Sequence, residues 1–154
     1  MRLPFTKMHG AGNDYIYVDA FAYDLKDPAE FALHMSDRHK GIGSDGLVLI
    51  GLSKTCDVRM RMFNADGSEG RMCGNASRCV GKYAYEHGIC RKESMTMETL
   101  AGVKVLHLTT ENDVVTSVTV DMGQPLLHPA DIPMEVQGDS FIDGEIECAG
   151  RTWR

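Results

Sequence analysis

The sequence predicts an α+β fold in which mostly antiparallel strands are wrapped around a central helix. Segments with strand character are short, numerous and separated by glycine-rich turns. Between residues 75 and 88, apolar or small side chains instead recur at the three- and four-residue intervals of a helix. Because no strand–helix–strand unit repeats along the chain, a doubly wound parallel sheet is not expected.

Composition and charge exclude several classes of function. The chain has 154 residues, of which 43% are hydrophobic and 25% charged, and this suits one domain with a sizeable core. Its net charge of -6 and the lack of a basic stripe argue against nucleic-acid binding. No apolar run approaches the ~20 residues of a membrane span, and the amino terminus lacks the apolar core of a signal peptide. We therefore expect a cytoplasmic protein that binds neither nucleic acids nor membranes.

The cysteines predict free, reduced thiols. They lie at positions 56, 73, 79, 90 and 148, an odd number with no CxxC spacing. This pattern fits neither a disulfide framework nor a zinc site. We accordingly expect no structural metal.

Before the central helix, the sequence predicts four strands and one further helix. Turn-forming residues, including a tight turn at 9–14, separate these elements. The strands are expected at residues 3–8, 15–20, 47–50 and 57–63. The helix is expected at 28–39, with Asp27 as its N-cap and the aliphatic stem of Arg38 on its apolar side.

After Gly88 the sequence predicts an antiparallel meander and then a connecting segment that contains three prolines. The meander strands are expected at 94–99, 103–109 and 114–122, and further strands at 132–136 and 141–153, with a hairpin turn at Ala149 and Gly150. We therefore predict an amino-terminal domain at residues 1–121. Residues 122–154 would form the connecting segment and the first strands of an incomplete second domain.

Cys73 is the strongest candidate for a functional residue. Turn formers fill the chain from Asn64 to Gly70, and the helical pattern begins directly after Cys73. The unpaired amides and the dipole of a helix start stabilise a thiolate, which is a usable base or nucleophile. Gly74 has no Cβ, so its amide would be open to a carboxylate. The alternative is a buried structural cysteine, which we do expect at Cys79, six residues further round the helix.

Three segments of the sequence resemble the diaminopimelate epimerases. The run FNADGSEGRMCGNASR at 63–78 is similar to the first catalytic-cysteine signature of that family. KMHGAGNDY at 7–15 resembles its amino-terminal segment, and DRHKGIGSDG at 37–46 its second glycine-rich segment. The three segments occur in the order of the family.

The resemblance implies an enzyme that interconverts LL- and meso-2,6-diaminopimelate, a precursor of lysine and of peptidoglycan. In the family, two cysteines exchange protons at the α-carbon without pyridoxal phosphate or a metal. By the resemblance, Cys73 would be one acid/base, and Gly74 would offer a backbone donor. The side chains expected to contact the amino-acid substrate are those of Asn13, Asn64 and Asn75. Asp45 and Gly46 would help to wall the site.

The resemblance also implies a second, similar half with the second cysteine in a glycine- and threonine-rich motif. That motif is absent from this sequence, and Cys56, Cys90 and Cys148 lie in unlike contexts. We thus expect an amino-terminal half that is inactive alone and that joins a carboxy-terminal half or a second copy in a dimer. Two alternatives remain open at this point: a related cofactor-independent racemase or isomerase, and a non-catalytic fragment that binds a ligand or a partner.

Overall fold

A computed structural model describes residues 2–136 and 138–154, which divide into two units after Met122. Among the described residues, the first unit has eight strands and two helices. These elements are β1 (Thr6–Gly10), β2 (Asn13–Asp19), α1 (Pro28–Met35), β3 (Gly46–Gly51), β4 (Val58–Asn64), β5 (Glu69–Gly70), α2 (Gly74–Glu86), β6 (Ser94–Thr99), β7 (Gly102–Glu111) and β8 (Val114–Val120). No helix in these ranges is long and apolar enough to cross a membrane.

The first unit is built on one sheet with the strand order β1-β2-β3-β4-β6-β7-β8, and β5 pairs with β4. Neighbouring strands are antiparallel except for two parallel pairs, β2 with β3 and β4 with β6. The predicted meander of β6, β7 and β8 is confirmed. The predicted α+β class is confirmed as well, since helices do not alternate regularly with the strands.

Helix α2 is the central helix that the sequence predicts. It contacts strands from both ends of the sheet order, β1 and β8, so the sheet curls around it. Val80 and Ala84 of α2 are fully buried against alternate residues of β4, such as Val58 and Met60. The other face of the sheet packs on α1, around Ala32. The strand alternation of period two therefore supplies two separate cores.

Helix α1 is shorter than predicted. Asp27 is its N-cap, as expected, and accepts a hydrogen bond from the amide of Glu30 at 3.0 Å. The helix ends at Met35 and not at residue 39, because the Asp37 carboxylate accepts from the amides of residues 39 and 40 and folds them into a turn. The interpretation of Arg38 as part of the helix face is therefore wrong.

The first hairpin is also tighter than predicted. The strands extend to Gly10 and start again at Asn13, so the turn contains only Ala11 and Gly12. Both have positive φ, 54° and 87°, which is the geometry of a two-residue turn that suits the twist of a hairpin.

The second unit contains less strand than predicted. Residues 132–136 form no strand, since a short 3₁₀ helix at Pro129–Asp131 precedes them and Pro133 has no amide hydrogen for a ladder. The expected strand region 141–153 is reduced to a hairpin of β9 (Ile146–Cys148) and β10 (Arg151–Trp153). Ala149 and Gly150 form its turn, as predicted.

Candidate active site

Three strand ends meet at one edge of the sheet. β2 begins at Asn13 and runs parallel to β3, which begins at Gly46. β4 is antiparallel to β3 and ends at Asn64, directly opposite Gly46. Because β2 and β3 are parallel, both begin at this edge, and because β4 is antiparallel to β3, it ends there. Residues that are far apart in the sequence therefore meet at this edge.

Helix α2 begins at the same edge. Gly10, at the end of β1, lies against its first turn so closely that a Cβ there would be 2.7 Å from the Asn75 carbonyl oxygen. Cys73 is the N-cap of α2, in extended conformation, and its Sγ accepts a hydrogen bond from the amide of Ala76 at 3.5 Å. The predicted position of Cys73 at the helix start is confirmed.

Asn13 is a polar partner of the Cys73 thiol. The thiol donates to Asn13 Oδ1 at 3.3 Å, and Asn13 Nδ2 donates to Asp45 Oδ2 at 2.6 Å. The Asp45 carboxylate can only accept, so the nitrogen of the Asn13 amide faces Asp45 and the oxygen faces Cys73. The structure therefore brings together Cys73, Asn13 and the candidate Asp45.

Asp45, the hydrogen-bond partner of Asn13, belongs to a group of ion pairs that sequence reasoning missed. Arg38 contacts Asp14 Oδ1 at 2.6 Å and Asp45 Oδ1 at 2.9 Å, and Lys7 lies 3.0 Å from Asp14 Oδ2. The Arg38 guanidinium is the largest cause that lowers the pKa of Asp14 to about 2. Asp14 is therefore ionised across the neutral range. The turn-forming residues around Arg38 were the one sequence signal that could have predicted its position outside the helix.

Tyr15 is a second residue that sequence reasoning missed. Its side chain is buried, and its hydroxyl lies beside the Cys73 sulfur. Burial, and then the neighbouring Cys73 side chain, raise the pKa of Tyr15 to about 12. At neutral pH the hydroxyl is protonated and can donate a hydrogen bond to the Cys73 sulfur. Tyr15 ends the segment 7–15, but its aromatic ring reads in the sequence as ordinary strand core.

Gly74 and Asn75 form the first turn of α2. Within residues 2–136 and 138–154, no acceptor faces either backbone amide of this pair, as is usual for the first amides of a helix. The Arg78 guanidinium donates to Asn75 Oδ1. A Cβ on Gly74 would lie 3.4 Å from the sulfur of Met122, which is an ordinary contact. Space alone therefore does not require glycine at this position.

Asn64 lies at the same edge but does not contact Cys73 among the described residues. Its Nδ2 donates to Ser68 Oγ at 2.9 Å within the loop that leads to β5. The neighbouring Ala65 amide donates to the Asp45 carbonyl at 3.1 Å and ties this loop to the glycine-rich one. Gly46 is needed for packing, since a Cβ there would lie 2.0 Å from the Phe63 carbonyl oxygen.

The other cysteines lie away from this edge or outside the first unit. Cys79 is buried in the α2 core, as predicted, and Cys90 is buried as well. Cys56 is half-buried in the loop before β4, and Cys148 is exposed in the hairpin of the second unit. All of them are free thiols.

Comparison with known proteins agrees with the resemblance of the three segments. A family model described as diaminopimelate epimerase matches residues 5–127. The chain belongs to the diaminopimelate epimerase family. A diaminopimelate epimerase from Desulfovibrio desulfuricans is 61% identical over 98% of this chain and 55% of its own length. One from Methanococcus maripaludis is 56% identical over 94% of this chain and 52% of its own, and one from Acetivibrio thermocellus is 52% identical over 97% and 54%. The chain thus spans about half the length of the curated relatives it matches.

Solved structures of other proteins share the fold of this diaminopimelate epimerase family member. A methylitaconate-delta-isomerase superposes with a TM-score of 0.60 at 18% identity, over 75% of this chain and 62% of its own. A hydroxyproline epimerase from Agrobacterium vitis gives 0.57 at 16%, over 75% and 40%, and a PhzF family protein from Bacillus anthracis gives 0.54 at 22%, over 73% and 36%. These likenesses show the fold and nothing more.

The segments that identify the epimerase family converge in three dimensions. Residues 7–15 form the first hairpin, residues 37–46 carry Arg38 and Asp45, and residues 63–78 carry Asn64 and the start of α2. Hydrogen bonds join the first segment to each of the other two, through Asn13 to Asp45 and to Cys73. The family pattern is therefore one spatial cluster.

Proposed function

We propose that this chain supplies one half of the active site of a cofactor-independent diaminopimelate epimerase, with Cys73 as one of two acid/base groups. The observation that carries the proposal is the position of Cys73 at the start of α2 in contact with Asn13, where the three epimerase-like segments meet. The relatives that bear this name support the substrate, LL- and meso-2,6-diaminopimelate. The activity belongs to the synthesis of lysine and of peptidoglycan precursors.

Inversion of a stereocentre needs a base on one face of the α-carbon and an acid on the other. In the proposed reaction, the Cys73 thiolate removes the α-hydrogen as a proton, and the electron pair of the C–H bond moves into the α-carboxylate. A second cysteine then donates a proton to the opposite face as the electron pair returns to carbon. The reverse direction exchanges the two roles.

Cys73 has hydrogen-bond partners for both of its protonation states. The thiol can donate to Asn13 Oδ1, which stabilises the proton on sulfur. The amide of Ala76 and the hydroxyl of Tyr15 can donate to the thiolate, which stabilises the deprotonated form. A group that must both take and release a proton benefits from such a balance.

The first turn of α2 is the proposed site of the reacting carboxylate. The backbone amides of Gly74 and Asn75 lie at the positive end of the helix, where an anion is favoured. Charge increases on the carboxylate as the α-proton leaves, so donors held there would stabilise the transition state. Asn13, Asn64 and the side chain of Asn75 are the proposed polar contacts of the substrate. Neither pyridoxal phosphate nor a metal is part of the proposal.

The second cysteine is proposed to come from the carboxy-terminal part of the family pattern. We assign residues 122–154 to a connecting segment and the first strands of that part. A site with one of its two proton-transfer groups cannot hold the α-carbon between an acid and a base, so the 154-residue chain alone should not epimerise its substrate. A dimer is proposed on the resemblance, and a cytoplasmic location on the pattern of free cysteines.

The test is to incubate the chain with LL-diaminopimelate in deuterated water, with and without the carboxy-terminal half of the Desulfovibrio desulfuricans relative. NMR follows deuterium at the α-carbon, and chiral chromatography follows the optical form. We expect turnover by the pair and none by the lone chain. A lone chain that turns over as fast as the pair would contradict the two-half mechanism and point to a second base among its own cysteines.

A further inference from the structure

The Asp45 carboxylate is held on both of its oxygens, in a way that the proposed reaction does not by itself require. Oδ2 accepts from Asn13 Nδ2 at 2.6 Å and from the Asp14 amide at 3.0 Å. Oδ1 accepts from Arg38 at 2.9 Å. Its backbone is fixed too, since the Asp45 amide donates to the Asp14 carbonyl at 2.7 Å and the Ala65 amide donates to the Asp45 carbonyl at 3.1 Å. Asp45 therefore has little freedom to move relative to Asn13.

We propose that Asp45 is a positioning residue that fixes the orientation of the Asn13 amide and thereby holds the proton on Cys73. In the observed orientation, the oxygen of the amide faces the thiol at 3.3 Å. A half-turn of the amide would put that oxygen against the Asp45 carboxylate, with two acceptors face to face and no proton between them. Asp45 thus excludes the turned orientation.

The orientation matters because the two ends of the amide act on Cys73 in opposite ways. An oxygen beside the sulfur stabilises the thiol and repels the thiolate, whereas an NH₂ group beside it would donate to the thiolate. The amide of Ala76 and the hydroxyl of Tyr15 already favour the thiolate. With Asp45 in place, Asn13 offsets them, and a thiol that can act as an acid remains available. The importance of this balance for turnover rests on the proposed function.

Charge alone also acts on Cys73, so the experiment must separate it from orientation. The elements around Cys73 carry further charged and titratable groups. They are Lys7, His9, Asp14, Tyr15, Tyr17 and Asp19 of the first hairpin, Asp37, Arg38, His39, Lys40 and Asp45 of the glycine-rich segment, and Arg78, Cys79, Lys82, Tyr83, Tyr85 and Glu86 of α2. Removing the negative charge of Asp45 favours a thiolate whatever Asn13 does. Asp14→Asn removes an equal charge from the same ion-pair group, but the Asp14 side chain does not hold the Asn13 amide. It is the matched control.

The test measures the rate at which iodoacetamide alkylates Cys73 as a function of pH in the 154-residue chain, by mass spectrometry. The plateau rate at high pH corrects for access to the sulfur. For Asp45→Ala we expect the midpoint of the profile to move to lower pH, with alkylation at pH 7 roughly fivefold faster, the effect of about one hydrogen bond. Asp14→Asn should move it less. In an Asn13→Ala background, Asp45→Ala should move the midpoint no further than Asp14→Asn does, since only the effect of charge remains when no amide is left to turn.

Equal shifts for Asp45→Ala and Asp14→Asn would overturn the proposal, as would an Asp45→Ala shift that is as large in the Asn13→Ala background as in the parent chain. If Asp45→Ala unfolds the chain, its five cysteines will be alkylated at similar rates. The Asn13→Ala variant alone then tests which end of the amide faces Cys73. Loss of an oxygen that faces the thiol should speed alkylation at pH 7, whereas an unchanged or slower rate would mean that the amide nitrogen faces Cys73. None of these measurements uses the substrate, so they do not depend on whether diaminopimelate is turned over.

Discussion

Gly10→Ala should lower the free energy of unfolding, because the added Cβ would displace the first hairpin from the start of α2. A Cβ on Gly10 would lie 2.7 Å from the carbonyl oxygen of Asn75 and 3.1 Å from its carbonyl carbon and Cα. These are backbone atoms in the first turn of a helix, so they cannot rotate away as a side chain would. Overpacking of this kind typically costs about 1–3 kcal/mol, which for a chain of this size lowers the melting temperature by roughly 3–9 °C.

Gly51→Ala is the matched control for this change. Gly51 also ends a strand, β3, but its added Cβ would meet only the Ala20 Cβ at 3.4 Å, which is normal contact. We expect its free energy of unfolding to change by no more than about 0.5 kcal/mol. Thermal and urea denaturation of both variants, followed by circular dichroism, measure the difference.

Gly10→Ala should change the reactivity of Cys73 as well as the stability of the chain. Gly10 pairs with Asn13 in the hairpin, so a displaced hairpin carries Asn13 away from Cys73. The pH profile of Cys73 alkylation should therefore change in Gly10→Ala and not in Gly51→Ala. If both variants have the same melting temperature and the same pH profile of Cys73 alkylation, the hairpin does not pack on α2 as described, and the reasoning is refuted.

Two further predictions concern single groups of the site. At limiting alkylating reagent and neutral pH, Cys73 should label before the other four cysteines, because it alone lies at a helix start, which favours the reactive thiolate. Mass spectrometry that finds Cys79 or Cys148 labelled first would contradict this. Asp14→Asn should lower the free energy of unfolding by about 1 kcal/mol at pH 7, after allowance for solvent around the half-exposed Arg38. The pKa of Asp14 is about 2 in the folded chain and lies near 4 in an unfolded one. This contribution to stability is therefore present above pH 4 and disappears as the pH falls towards 2. A difference in unfolding free energy between Asp14→Asn and the parent chain that persists at pH 2 would contradict the role of the Asp14 charge.

Local features of the fold could be predicted from the sequence. The sequence predicts Asp27 as a cap, Cys73 as the residue before a helix and Cys79 as core, because each depends on neighbours within one or two turns of the chain. The two residues at the hairpin of the second unit were found for the same reason, since Ala149 and Gly150 lie between short strand-like runs.

Long-range features could not be predicted in this way. The parallel pairing of β2 with β3 joins segments that α1 separates, and no local pattern encodes it. The sequence predicts Arg38 on a helix face, whereas its partners Asp14 and Asp45 become neighbours only after the strands have paired. Tyr15 looks like a core residue in the sequence, and only the position of its hydroxyl beside Cys73 gives it a chemical role. Local propensity yields to tertiary contacts at such positions.

The most direct test of the central claim is the activity of Cys73→Ser in a fusion of this chain with the carboxy-terminal half of the Desulfovibrio desulfuricans relative. Cys79→Ala in the same fusion is the control, since that thiol lies in the α2 core. We predict that Cys73→Ser lowers kcat for LL-diaminopimelate by roughly 10²–10⁴-fold with little change in melting temperature, as expected for loss of an acid/base group. Cys79→Ala should leave kcat within a few-fold of the parent fusion. A Cys73→Ser fusion that keeps the kcat of its parent would contradict the assignment of Cys73 as an acid/base.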